Sequence, residues 1–134
     1  MKLRTLLGRS VSLNPLNQSR VKAATLVSIK SFSKKKNSFT TKTREPGHPP
    51  RLHKQVFWSK DPLYEGALSD CKDIMLTCNC EDFTFTWEHV LNKEGCTDIL
   101  QSNGEPPNER NPSMRIGLCK HCIIVANYIL SKNL

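Results

Sequence analysis

Up to residue 80, the apolar residues occur in short runs that are typical of strands. Residues 34–37, KKKN, are typical of a turn, and the prolines and glycine of 45–50 predict a loop, because proline cannot continue a hydrogen-bonded ladder. The stretches rich in β-branched and aromatic residues are 21–33, 38–43, 51–59 and 73–80. The pattern therefore predicts a small antiparallel sheet.

After residue 80 the apolar spacing becomes helical. The residues that recur at i, i+4, i+7 and i+8 are Phe83, Trp87, Val90 and Leu91. The acidic pair at 81–82 suits a first helical turn, and Gly95 suits the end of a helix. A polar loop at 101–115 precedes a second helical stretch, residues 118–134. Strands followed by two helices predict an α+β fold.

Charge is distributed unevenly along the chain. Residues 1–54 contain thirteen Lys or Arg and one acid, whereas residues 55–134 contain seven basic and eleven acidic residues. The basic part predicts an anionic partner, either nucleic acid, an acidic protein face or an acidic membrane. Lys34, Lys35 and Lys36, at the predicted turn, are its densest cluster and could contact DNA or a protein neighbour.

The first twenty residues show no strong periodicity. They predict a basic N-terminal arm, extended until a partner orders it, ahead of a domain at 21–134. A few helical turns could form in MKLRTLLGR, and Asn14-Pro15 would interrupt them. An organellar transit peptide is the alternative, because the segment is free of acids and contains Arg and Ser.

Several function classes lack their signals in this chain. No segment approaches the ~18 apolar residues that span a bilayer. Of the anionic partners above we expect protein or DNA, and no membrane. No phosphate-binding glycine loop, zinc-protease motif or serine nucleophile motif is present. The chain is therefore expected not to be an enzyme and to have no small-molecule substrate.

Two cysteine motifs carry the strongest chemical signal. Cys78 and Cys80 are two residues apart, and residues i and i+2 of a strand point to the same face. Cys119 and His121 are equally spaced near a predicted helix start, where the helix dipole favours thiolates. Three thiolates and an imidazole in a closed tetrahedron form a structural zinc site. We therefore predict one structural Zn²⁺ bound by these four residues.

Other interpretations of the six cysteines remain open. Disulfides are one, although a bridge between Cys78 and Cys80 would be strained. Inert buried thiols are another. Cys122 is a rival fourth ligand, because CKHC also contains a Cys-x-x-Cys pair. Cys71 and Cys96 belong to neither motif, and could be buried, bridge each other or bridge to a neighbouring subunit.

The CxC…CxH pattern over residues 74–131 resembles the SWIM-type zinc finger. In that family a strand, turn and helix hold one zinc through the four corresponding positions, here Cys78, Cys80, Cys119 and His121. A glycine before Cys-x-His and an apolar helix after it are similar too. The departure is the spacing, because thirty-eight residues separate Cys80 from Cys119, more than in most members. An inserted helix and loop would account for that length.

A longer run of residues resembles a SWIM-containing family of tailed-bacteriophage virion proteins. The shared features are the CxC-x-D-F stretch, the FTFTWE run, the SNGEPP loop, Asn111-Pro112 and the final G-x-CKH. This resemblance implies a minor structural protein of the particle, located in the virion and assembled with other virion proteins, with DNA contacts through the basic arm. The alternative is a nucleic-acid-binding SWIM protein outside any particle.

The aromatic run of the second motif has two interpretations. Phe83, Phe85 and Trp87 could form a base-stacking platform, but their place on a helical stripe favours packing in the core. The SNGEPP loop contains Asn103-Gly104, which predicts a tight turn with positive φ. The functional interpretation of that loop is a surface buried by assembly.

Overall fold

The computed structural model describes residues 1–134 and contains a four-stranded antiparallel sheet whose helices pack on one face. The strands follow chain order, and each pairs with the next. Their bounds are β1 Val27–Ser33, β2 Ser38–Thr43, β3 Arg51–Ser59 and β4 Ile74–Cys78. The predicted α+β class and antiparallel sheet are confirmed, with β2 and β3 at their predicted bounds.

Four helices accompany the sheet, where the sequence predicted two. They are α1 Leu3–Ser10, α2 Pro15–Ala24, α3 Glu88–Lys93 and α4 Lys120–Lys132. A π-helical turn, Phe83–Trp87, leads into α3, and a 3-10 turn spans Leu68–Asp70. Residues 101–115 are irregular, as predicted. No helix has the length and apolar character needed to cross a bilayer.

The core lies between the sheet and α4. Helix α4 packs across all four strands, and α1 and α2 pack against α4. Phe39 and Phe57 point inward from β2 and β3, and the Phe39 ring meets the Tyr128 ring of α4 edge-on with centroids 6.2 Å apart. The predicted stripe on the first C-terminal helical stretch is also confirmed, because Phe83, Trp87, Val90 and Leu91 are all buried.

The predicted extended N-terminal arm is not what the structure shows. Leu3 and Leu6 of α1 are fully buried, and Asn17 of α2 donates from Nδ2 to the Ile116 carbonyl at 3.1 Å. Helix α1 ends before Asn14-Pro15, as predicted, and this pair also begins α2. The Asn14 side chain accepts the Asn17 N–H at 2.9 Å, and Pro15 occupies the first turn, where its missing N–H costs nothing.

Helix α2 also changes two predicted boundaries. It spans the division placed between residues 20 and 21, and it includes residues 21–24, which were predicted to open the first strand. That strand begins only at Val27. Only Asn17 and Ala24 of α2 are buried, so the helix has no apolar stripe that the sequence could have displayed.

Candidate metal centre

The four predicted ligands converge at one end of the sheet. Cys78 is the last residue of β4, and Cys80 lies two residues on, before the π-helical turn. Cys119 caps α4 and His121 lies in its first turn. Their ligand atoms all lie within 4.8 Å of one another, and none of the four residues is more than 4% exposed. The site could therefore hold one metal ion.

One detail of the prediction is wrong. The two cysteines of CNC were expected on one face of a single strand, but β4 ends at Cys78. Asn79 leaves the strand, and its side chain accepts the backbone N–H of Lys54 on β3 at 3.0 Å. Cys80 thus approaches the other ligands through a turn, which begins the chain's path into the π-helical segment.

Each of the three sulfur atoms accepts an N–H hydrogen bond. The pairs are Gln55 Nε2 to Cys78 Sγ at 3.4 Å, Phe83 N to Cys80 Sγ at 3.3 Å, and Cys122 N to Cys119 Sγ at 3.5 Å. Such donors favour the charged form of a buried thiol. The N-terminus of α4 adds its dipole at Cys119. All three sulfurs are therefore in surroundings suited to thiolate ligands.

His121 is oriented by both of its ring nitrogens. Its Nδ1 lies 3.9 Å from Cys78 Sγ, and its Nε2 lies 3.1 Å from Thr43 Oγ1 on β2. With the proton on Nε2, the ring donates to Thr43 and leaves the Nδ1 lone pair free to bind a metal. A hydrogen bond of this kind fixes the tautomer and orientation of ligating histidines. The His53 ring packs against His121 with centroids 4.3 Å apart.

When no metal is bound, the pKa of each thiol in the cluster depends on its neighbours in the cluster. Burial raises the pKa of Cys78, but hydrogen bonds from Cys119, Cys122 and Cys80 outweigh burial and hold that pKa well below its usual value. For Cys80, a hydrogen bond with Cys119 lowers the pKa, but the effects of Cys78 and burial raise it to about 12. Burial also raises the pKa of Cys119. Without a metal, the cluster thus favours a single thiolate. All three cysteines can be thiolates together only when a cation balances their charge.

The residues present fit zinc. Three sulfurs and one imidazole nitrogen, all buried, form the donor set of closed structural zinc sites. Cys78, Cys80, Cys119 and His121 would hold the ion, which would tie β4, the following turn and α4 together. Its four positions would then all be filled by this chain.

Of the remaining cysteines, Cys122 borders the cluster and its thiol hydrogen-bonds to Cys78, whereas Cys71 and Cys96 take no part in it. All six are unbridged and buried. Cys122 lies in the first turn of α4, where its N–H donates to Cys119, and the set of ligand atoms within 4.8 Å includes His121 instead. Cys71 and Cys96 donate from sulfur to the carbonyls of Asp73 and Glu94. Burial raises the pKa of Cys96, as expected of an inert thiol.

The thirty-eight residues between the two ligand pairs are held by buried polar side chains. Glu88 is fully buried, and its carboxylate accepts the backbone N–H groups of Leu100, Gln101 and Ser102 at 2.9–3.3 Å, together with the Ser102 hydroxyl at 2.8 Å. Asn111 donates to the carbonyls of Thr86 and Arg115 and accepts the Arg115 N–H. Both residues belong to the motifs that the sequence singled out.

Trp87 links this segment to the start of α4. A Cβ on Gly117 would lie 2.5 Å from the Trp87 ring, so only glycine lets the chain pass before Cys119. The Trp87 indole N–H donates to Asp82 at 3.0 Å, and Asp82 in turn binds the Arg20 guanidinium of α2 through both oxygens. Of the aromatic run, Phe83 and Trp87 are therefore core residues, while Phe85 is 53% exposed.

Sequence reasoning missed the residues that surround the ligands. Gln55 and Thr43 lie on β3 and β2 and point toward the metal cluster. Each is a polar residue at an inward position of a strand, and that mismatch was a usable signal. The cluster Lys34–Lys36 lies in the exposed β1–β2 turn, takes part in none of the ion pairs and contacts nothing at the metal centre.

Comparisons with known proteins found no match: no family model, no curated protein and no solved structure is similar to this chain. These comparisons therefore do not support the SWIM or phage resemblance, and the structure shows only that Cys78, Cys80, Cys119 and His121 converge and could hold a metal ion.

Proposed function

We propose that this chain is a non-enzymatic structural protein whose fold is closed by one Zn²⁺. The observation that carries the proposal is the convergence of three buried sulfurs and one imidazole, each with a hydrogen-bonding partner of its own. Four protein donors leave no position for a reacting water, so the ion stabilises the fold and does no hydrolytic chemistry.

We further propose that the chain is a minor structural protein of a tailed-bacteriophage virion. Support comes from the sequence motifs shared with that family and from the contacts that their residues make in the fold. Glu88 holds the SNGEPP loop from the inside, which leaves the outer surface of that loop for contacts. Phe85 and Leu100 on the same insertion are each more than half exposed. Exposed apolar residues on a segment whose path is held by buried side chains suit assembly with other particle proteins.

The alternative is a nucleic-acid-binding protein that acts outside a particle. The basic surplus of residues 1–54 favours it, since these residues now belong to folded helices and strands instead of an extended arm. A virion protein and a free nucleic-acid binder differ in location, so mass spectrometry of gradient-purified particles of the encoding virus separates them. Presence in particles supports the first, and absence contradicts it.

Metal content tests the zinc proposal directly. Elemental mass spectrometry on the purified chain should find one zinc per chain, and Cys78→Ser and His121→Ala should each lose it. Cys96→Ser is the matched control, because Cys96 is equally buried but outside the ligand set. A parent chain without metal, or a Cys96→Ser variant that loses metal like Cys78→Ser, would contradict the site.

A further inference from the structure

The sheet has one face that no helix covers. Inward positions of the strands, such as Phe39, Phe57 and Leu76, are buried in the core beneath α4. The alternate positions point to the other side, and among them Lys54 and Leu52 are exposed while Lys42 is partly exposed. Since successive side chains alternate across a strand, these residues share the outer face.

This outer face carries positive charge that no acidic side chain of the strands neutralises. None of the four strands contains Asp or Glu, while Lys42 of β2 and Lys54 of β3 lie on this face and Lys30 is exposed at the bulge of β1. The four ion pairs of the molecule involve other residues. The outer-face lysines therefore meet solvent with no acidic neighbour from the sheet, which is the charge pattern of a polyanion-binding surface.

The two outer-face lysines are close neighbours. Lys42 pairs with Leu52 and Thr40 pairs with Lys54, so Lys42 and Lys54 are diagonal across the β2–β3 ladder. Diagonal positions lie about 7–8 Å apart. Ser and Thr hydroxyls occupy the adjoining outer positions of β1 and β2, including Ser28 and Thr40. This arrangement offers successive contacts to the phosphates of an extended strand.

Trp58 supplies an aromatic surface on the same face. It follows Lys54 and Val56 on β3 at alternate positions, pairs with Met75 of β4, and is partly exposed. The turn with Lys34–Lys36 lies at the end of the β1–β2 hairpin. A basic surface with an aromatic side chain on which a base can stack is the common design of single-strand binding sites.

We propose that the outer face of the sheet binds single-stranded nucleic acid, with Lys42 and Lys54 on phosphates and a base against Trp58. The Ser and Thr hydroxyls of β1 and β2 add hydrogen bonds to the sugar-phosphate backbone of the nucleic acid. The interaction is independent of sequence and weakens with salt, because its main contacts are to phosphate. It differs from contacts through an extended arm, since the surface is part of the folded sheet.

The test uses the full metal-loaded chain and a fluorescein-labelled oligothymidylate, with anisotropy read over a series of salt concentrations. Lys42→Gln combined with Lys54→Gln should weaken binding by about tenfold and reduce the salt slope by about 1.4, or about 0.7 per lost phosphate contact. Lys72→Gln combined with Lys93→Gln is the control, because both lysines are exposed, lie off the strands and remove the same charge. It should bind within about twofold of the parent.

Trp58 gives a second measurement. The only other tryptophan, Trp87, is fully buried, so quenching of intrinsic fluorescence by unlabelled oligothymidylate should come from Trp58 and vanish in Trp58→Phe. The proposal is overturned if the parent does not bind the oligonucleotide at physiological salt, or if both lysine pairs lose affinity equally. Equal binding of polyglutamate would assign the face to an acidic protein instead.

Discussion

The sheet and the segment between the two ligand pairs, residues 81–118, are stabilised in different ways. The sheet is a ladder of backbone hydrogen bonds between consecutive strands, regular apart from one bulge at residue 30 of β1, with a largely apolar inner face. Residues 81–118 are helical only over 81–93, where a π-helical turn interrupts the α-helix. Their path is fixed instead by single side chains, chiefly Glu88, Asn111 and the Trp87–Gly117 contact.

The comparison shows where substitutions will matter. Stabilisation in a ladder is shared among many similar bonds, so the loss of one surface side chain is usually worth less than about 0.5 kcal/mol. Where one buried carboxylate holds three backbone N–H groups, its loss leaves all three without a partner. The candidate metal centre joins the two regions, since its four residues come from the end of β4 and from the two ends that flank the segment.

Metal removal should have the largest effect. Binding free energies of structural zinc in small domains are on the order of 10 kcal/mol and contribute directly to folding. A strong chelator should therefore cause residues 78–82 and the first turn of α4 to lose hydrogen-exchange protection before the β1–β2 pairing does. Mass-resolved hydrogen exchange with and without chelator measures this. Uniform loss across the sheet and the segment would contradict the distinction between the two regions.

Glu88→Gln should cost about 3 kcal/mol in the free energy of unfolding. The Gln amide keeps one acceptor oxygen but replaces the other with an NH2 donor. Buried backbone N–H groups of residues 100–102 therefore lose their acceptor. Urea unfolding measures the loss, and limited proteolysis should show new cleavage within 97–118. Glu81→Gln is the control, since Glu81 is exposed and makes no side-chain contact, and it should change stability by less than about 0.5 kcal/mol.

Substitution of alanine for each of two glycines should change the stability of the fold in opposite directions. Gly117→Ala forces a methyl group against the Trp87 ring and Asn17, which should destabilise by about 1–3 kcal/mol. Gly8→Ala in α1 meets nothing within 4 Å and should stabilise by about 0.5–1 kcal/mol through helix propensity. Thermal unfolding of both variants tests the pair. Equal shifts of the same sign would mean that the Trp87 contact does not constrain the chain.

Substitution of Asp82 should give an effect on stability that depends on pH. Burial raises the pKa of Asp82, but the Arg20 guanidinium, with Trp87 and Thr86, outweighs burial and holds it below its usual value. The stabilisation is therefore present at neutral pH and is lost as pH falls through the depressed pKa. Asp82→Asn should cost about 2 kcal/mol at pH 7 and flatten the acid side of the stability profile.

Asp98→Asn is the matched control for Asp82, because Asp98 is exposed and its carboxylate has no partner. Unfolding in urea between neutral and acid pH should show an unchanged profile for this variant. If Asp82→Asn kept the parent's slope toward acid, the Arg20–Asp82 pair would not be the origin of the pH dependence.

The sequence was most informative where one periodic signal applied. Strands β2 and β3 alternate inward and outward residues over six and nine positions, and their bounds were predicted correctly. The convergence of Cys78, Cys80, Cys119 and His121 was also predictable, because Cys-x-Cys and Cys-x-His spacings restrict which side chains can meet. Helix α2 was not, since its buried residues are Asn17 and Ala24 and its capping signal, Asn14-Pro15, is equally a sign of a loop.

The contacts of residues 81–118 could not have been predicted from spacing. Glu88 looks like an ordinary solvent-facing residue of an amphipathic helix, and only the folded loop brings three N–H groups to it. The same holds for Gly117, whose requirement comes from Trp87, thirty residues earlier in the chain. Contacts between distant irregular segments leave no periodic pattern in a single sequence.

The convergence of Cys80 and Cys119 at one point has a consequence for chain length. A metal that pins both ends of residues 81–118 within a few ångströms closes a polymer loop, and the entropy of such closure grows only with the logarithm of its length. Doubling the number of enclosed residues costs only about 0.6 kcal/mol. Insertions or deletions in the enclosed segment can therefore change its length while the four ligand positions stay in place. The spacing between the two motifs is then a weak guide to evolutionary relationship among proteins with such a site.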